Sequence, residues 1–197
     1  MRRFALLALC ALPVVTVPLV AQSGVEIAPF VGYRIGGSLE NSQTHEHYGI
    51  KEALSYGASV EAGRDASRIW LLYSRQETDI DTLGATVPIV LQEFMVGGAR
   101  DMTAKGRARP FVVGSLGLTS ASTNGGRSIS KFALGAGLGL KTPPNSRLVL
   151  RGEVRGFATF VGEQAAVGSC GGAGCAIAFT SSVLFQGEFV LGAGIRF

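Results

Sequence analysis

Three groups of residues in this chain have the types and spacing to do chemistry. Arg151, Glu153 and Arg155 alternate with small or apolar neighbours, and Glu188 and Arg196 do so near the C-terminus. On extended backbone such spacing puts every charge of a segment on one face, where opposite signs neutralise one another in a confined space. Cys170 and Cys175 flank Gly171, Gly172, Ala173 and Gly174. In an oxidising compartment this pair is expected to form a disulfide, since the glycines make a small ring easy to close. The alternative is a free or metal-bound pair. His45 and His47 stand beside Glu40, Ser42 and Glu46, which are the residue types of a hydrolase's nucleophile, base and acid. They share one polar stretch with no nucleophile motif and no regular element to hold them. Catalysis is therefore not expected. The glycines of Gly135–Gly139 have the wrong spacing for a nucleotide-binding loop and precede no helix. No cofactor is expected.

The elements that must position these residues are strands. The C-terminal segment alternates strictly, with Phe189, Leu191, Ala193, Ile195 and Phe197 on one face and Glu188, Val190, Gly192, Gly194 and Arg196 on the other. Period-two alternation is the mark of a strand with two unlike faces. The same pattern predicts about eight strands. They run near Val25–Gly37, Glu52–Gly63, Ile69–Thr78, Thr86–Arg100, Arg107–Thr119, Ser130–Lys141, Arg147–Phe160 and Gln186–Phe197. Pro88 argues for a late start of the fourth. The third has the least distinct faces, with Ile69, Leu71 and Tyr73 opposite Trp70, Leu72 and Ser74. Connections alternate in length. Short ones lie near Gly63–Ser67, Arg100–Gly106 and Thr142–Ser146, longer ones near Ser38–Lys51, Asp79–Ala85, Ser120–Ile129 and Val161–Ser182.

Composition selects among the folds such strands could build. Met1–Arg3 is cationic, Phe4–Val20 is uncharged and apolar, and small residues follow at Ala21 and Ser23. This predicts a secretory leader over residues 1–22, cleaved after Ala21 or Ser23, and a single domain over 23–197. Loss of Arg2 and Arg3 lowers the net charge from +4 to +2, too little to suggest nucleic-acid binding. Charged residues make up 16% and glycines number 28, too few charges for a soluble surface of ~25–35%. Apart from the leader, no apolar run is long enough for a membrane-spanning helix. A barrel whose apolar residues face lipid satisfies both observations. Orientation follows from the other face. It is rich in Gly, Ser and Ala and carries charges of both signs: Glu26, Arg34, Glu61, Glu93, Arg109, Lys131, Arg151, Glu153, Arg155, Glu188 and Arg196. These suit a crowded polar interior, with the apolar face turned outward. A soluble barrel of reversed orientation is the competing reading. Trp70, Tyr33, Tyr56, Tyr73 and Phe94 are assigned to interfacial aromatic belts.

The fold class expected is therefore all-β, an up-and-down antiparallel transmembrane barrel of about eight strands. On the terminal Val190–Phe197 pattern, Leu72–Thr78 (LYSRQET) and Phe132–Lys141 (FALGAGLGLK), the chain resembles the small eight-stranded outer-membrane barrels. Its likeness is to the transmembrane domain of outer membrane protein A, without a periplasmic domain. The resemblance implies a bacterial outer-membrane location. It also implies that Phe189, Leu191, Ile195 and Phe197 form the signal read by the barrel-assembly machinery, and that outer-membrane lipid is the surrounding partner. A monomer with a structural or surface-interaction role through its outward loops is expected. A narrow porin-like channel is the alternative, and a lipid A-modifying enzyme follows. Closure of the barrel would bring the first and last outward loops together, and with them His45, His47, Cys170 and Cys175, a possible zinc set. A solvated loop and a disulfide is the preferred reading.

Overall fold

The computed structural model describes residues 24–40, 47–63, 66–82, 85–102, 108–123, 128–143, 146–161, 165–166, 178–179 and 183–197. The expected leader, and with it His45, Cys170 and Cys175, lies outside the described residues. Eight long strands form a closed barrel: β1 (Gly24–Ile35), β2 (Ala53–Gly63), β3 (Ser67–Thr82), β4 (Ala85–Asp101), β5 (Arg109–Thr123), β6 (Ile129–Lys141), β7 (Leu148–Thr159) and β8 (Leu184–Arg196). Each pairs antiparallel with its neighbour in sequence, and β1 closes the ring against β8 through Glu26↔Arg196 to Ile35↔Gly187. This is an up-and-down barrel, as the alternation implies.

Register fixes the barrel's geometry. The row that starts at Gln92 on β4 passes through Arg75, Tyr56, Val31, Leu191, Gly152, Leu140 and Pro110. It returns to β4 at Met102, whose N–H donates to the Pro110 carbonyl at 2.8 Å. One circuit therefore climbs from position 92 to position 102, a stagger of ten residues. A stagger of this size over eight strands tilts them by about 40° from the axis.

The two faces separate as the alternation requires. Val31, Leu54, Ile69, Leu138, Leu191 and Phe197 are each more than 60% exposed on the outer wall, whereas Glu26, Arg34, Glu61, Glu93 and Glu188 are fully or almost fully buried inside. An outer wall this apolar suits lipid and would be a large sticky patch in water. The interior-out arrangement of a soluble barrel is excluded.

Three expectations are corrected. Trp70 is 1% exposed and lies inside the barrel, not in an outer belt. Its parity on β3 places it with Leu72 and Ser74 on the inner face. The connection after β3 is tight, because β3 runs to Thr82 and β4 begins at Ala85. Pro88 does not delay β4. It pairs only with Asp79, and the β5 ladder stops one residue short of it at Ile89↔Thr123, so it occupies an edge position where proline is tolerated. The β3–β4 hairpin thus rises past the barrel wall.

Candidate functional site

The interior carries the residues with chemical potential. Three layers fill it, each built by inward positions of several strands.

At the rim bearing the long connections the filling is apolar. Ile50, Ile80, Ile89, Leu91, Val161 and Leu184 pack into one buried cluster, with Val87, Ala121 and Ile129 against it. The cavity in this layer is about 40 Å³ and reaches Thr119, Lys131 and Thr159 at its floor, room for about one water molecule. Thr119 and Thr159 share a 2.8 Å hydrogen bond there.

The middle layer is ionic. Arg34 makes a two-pronged contact with Glu93, donates to Glu188 at 3.0 Å and to the Ser74 hydroxyl at 2.7 Å. Glu188 also faces Arg155 at 3.5 Å, and Arg155 reaches Glu153 at 3.0 Å. Arg151 bridges Glu153 and Glu61, each at 2.9 Å. Aromatic rings floor these cations: Phe157 lies 5.0 Å beneath the Arg34 guanidinium, Phe30 4.3 Å beneath that of Arg155, and Phe111 4.7 Å beneath that of Arg151. Trp70 stands 5.8 Å from Arg155. A ring face attracts a desolvated cation, which explains why a tryptophan belongs in a charged interior.

Toward the short turns the network broadens. Glu61 accepts from Lys141 at 2.7 Å and Arg68 at 3.2 Å. Asp101 faces Lys141, Arg68 and Arg109 at 2.9, 3.2 and 3.7 Å. Arg196 donates to Glu26 at 2.6 Å and to the Pro143 carbonyl at 2.9 Å, tying the last strand to the first and to a turn. The set is continuous from Arg34 to Arg196 and close to neutral, with cations Arg34, Arg68, Arg109, Lys141, Arg151, Arg155 and Arg196 against Glu26, Glu61, Glu93, Asp101, Glu153 and Glu188.

Of the charges singled out by sequence, Arg151, Glu153, Arg155 and Glu188 come together in the middle layer, and Arg196 sits apart at the turn rim. Lys131 has no ion pair among the described residues. Arg68, Asp101 and Lys141 do not stand out in the alternation; they lie at strand ends, where the pattern is hard to separate from turn polarity. Parity was the available signal, since Arg68 and Lys141 share the inward phase of Trp70 and Gly139.

Phe189, Leu191, Ile195 and Phe197 stand on the outer wall, each more than half exposed. A concavity of about 920 Å³ lies against that wall; Tyr33, Leu54, Leu138 and Leu191 border it. Among the described residues no three His, Cys, Asp or Glu side chains gather as a metal site. Outside the barrel wall, Lys51 pairs with Asp81 at 2.9 Å on the projecting hairpin. The Lys51 hydrogen bond, helped by that of Thr86, holds the Asp81 carboxyl below the ordinary carboxylate range.

No family model and no curated protein matches this sequence. Solved structures do match in shape. Neisserial surface protein A aligns with a TM-score of 0.60 at 14% identity, over 89% of this chain and 97% of its own. The outer membrane protein AlkL aligns at 0.55 and 13%, over 88% and 90%. The outer membrane protein OprG from Pseudomonas aeruginosa aligns at 0.54 and 9%, over 89% and 95%. The chain has the fold of the small eight-stranded outer-membrane barrels.

Proposed function

We propose that this protein is a non-catalytic resident of the bacterial outer membrane that acts through its outward surface, as a structural or contact protein. The observation that supports this reading most is the filled interior. The apolar layer closes one end, the ion pairs and rings occupy the rest, and two small interior cavities among the described residues measure about 40 Å³ and close to zero. Such a lumen is a rigid core and offers no continuous aqueous path. What remains free to act is the outward end, where the β3–β4 hairpin projects with Asp81 and Thr86 exposed. A core filled by paired charges and rings also gives no nucleophile and base a place to meet substrate.

Planar-bilayer recording of the purified protein tests this reading. No discrete openings are expected. Reproducible openings would replace it with the narrow channel. Lipid A of altered mass in cells carrying the protein would replace it with an enzyme.

A further inference from the structure

The outer wall is not equally apolar all round. On β7 the outward positions from Leu148 to Phe160 are Leu148, Leu150, Gly152, Val154, Gly156, Ala158 and Phe160, and on β8 the run from Phe185 to Phe197 is likewise uncharged and apolar. On β4 the outward run Phe94, Val96 and Gly98 is interrupted by Gln92 and Arg100, with Val90 and Met102 beyond them. On β3 it is only Ile69, Leu71 and Tyr73, bounded by Ser67 and Arg75. Both boundaries are shared, because Ser67 pairs with Arg100 and Arg75 pairs with Gln92. Two adjacent strands therefore carry one short apolar band between two polar rows.

The band heights follow from the register. A span of eight residues covers ~27 Å of strand, or about 21 Å along the axis at a tilt of ~40°; a span of twelve covers about 31 Å. An outer-membrane barrel presents an apolar band of about 25 Å. The β3–β4 sector falls short of that and the opposite sector exceeds it. Arg100 is exposed and has no ion pair among the described residues, so a lipid phosphate is its natural counter-charge.

We propose that the β3–β4 face is a lipid-binding surface at which the two leaflets are drawn together, with headgroup phosphates seated on the Arg100 row and on the Arg75–Gln92 row. A short apolar stretch is accommodated by thinning the bilayer or by snorkelling of its flanking side chains. Gln92 is too short to snorkel far, and the Arg75 guanidinium is already engaged by Glu77 at 3.0 Å. Thinning is the response these residues leave. The proposal rests on the reading of the chain as a membrane barrel.

Spin labels can test it in the full protein carrying Cys10→Ser, Cys170→Ser and Cys175→Ser, reconstituted in vesicles of dioleoyl phosphatidylcholine and phosphatidylglycerol. The labelled positions are Gly98→Cys and, separately, Ala193→Cys. Half a circuit of the stagger brings Leu191 level with Gly97, so Ala193 lies within one residue's rise of Gly98. Accessibility to oxygen against a polar nickel reagent reports depth. The Gly98 label is expected to read several Å shallower than the Ala193 label, and Gln92→Leu with Arg100→Leu is expected to remove the difference. Equal depth in the parent, both labels deep, would overturn the proposal and leave the barrel intact. Both labels in water would overturn the barrel reading as well. Spin–spin broadening at Gly98 alone would assign this face to a second copy instead of lipid.

Discussion

Arg34 is the residue whose loss should be felt most, and the reason is a single carboxylate. Glu93 is completely buried and Arg34 is its only ion-pair partner among the described residues. Glu188, in contrast, keeps Arg155 at 3.5 Å when Arg34 is gone. Arg34→Met therefore strands one charge. Removing one member of a buried pair costs about 3–5 kcal/mol, most of it the desolvation of the group left behind; we expect about 4 kcal/mol. Glu93→Gln in the same chain removes the stranded charge. What then remains is the lost stack on Phe157 and the lost bond to Ser74, about 1–2 kcal/mol together. The double variant should be more stable than the single Arg34→Met variant by about 2–3 kcal/mol. Urea titration in detergent micelles, run in both directions, reads this directly, because Trp70 is the chain's one tryptophan and is buried in the same interior. A double variant as unstable as Arg34→Met would refute the view that an orphaned carboxylate sets the cost.

Other outcomes follow from single contacts. Gly57→Val should abolish the compact, heat-modifiable form on gels, because a Cβ there would meet the Tyr73 carbonyl at 2.0 Å and Phe30 at 2.8 Å; Gly114→Ala, with nothing within 4 Å, should retain it. Acidification should release the Lys51–Asp81 clasp. The Asp81 carboxyl is depressed in the folded state, so its contribution is present above the ordinary Asp value and is lost as pH falls below it; chemical-shift titration of Asp81 in detergent checks this. Phe197→Ala should lower the amount of barrel in the outer membrane of cells without altering refolding in detergent, whereas Leu140→Ala on the same wall should do neither, as read by membrane fractionation. Cys170 and Cys175 should resist alkylation until reduced, by mass spectrometry.

The sequence made the architecture legible because alternation is a local signal that a barrel repeats in every strand. Glu26, Arg34, Glu61, Glu93 and Glu188 could be placed inside from parity alone. Their partners could not, because pairing depends on stagger, and Arg34 meets residues 59 and 154 positions away. Trp70 is not placed by its residue type, since tryptophan is at home both at a membrane interface and beneath a buried cation, and composition does not distinguish the two. The sequence understates the reach of β3 because beyond the lipid the alternation of polarity fades: Asp79 and Asp81 read as a loop, although the ladder continues from Asp79↔Pro88 to Thr82↔Ala85. The apolar layer at the outer rim escaped notice for a related reason. Ile50 lies in the connection after β1, Ile80, Ile89 and Leu184 lie at the outer ends of β3, β4 and β8, and they meet only after closure.

The seam between β1 and β8 also sets the order in which this barrel can come into being. Seven of its ladders join strands that are neighbours along the chain and close far shorter loops than the eighth. The eighth joins Glu26 to Arg196, a separation of 170 residues, and loses loop entropy that no local pairing can offset. Hairpins can zip early, but the interior charges stay wet until that last ladder shuts, since Glu26, Arg34 and Glu188 find their partners across it. The ring is thus a clock with one slow tick: closure and dehydration of the core are a single event. A chain with the same residues cut open at another turn and joined at Gly24 and Phe197 should reach the same barrel by a different last step.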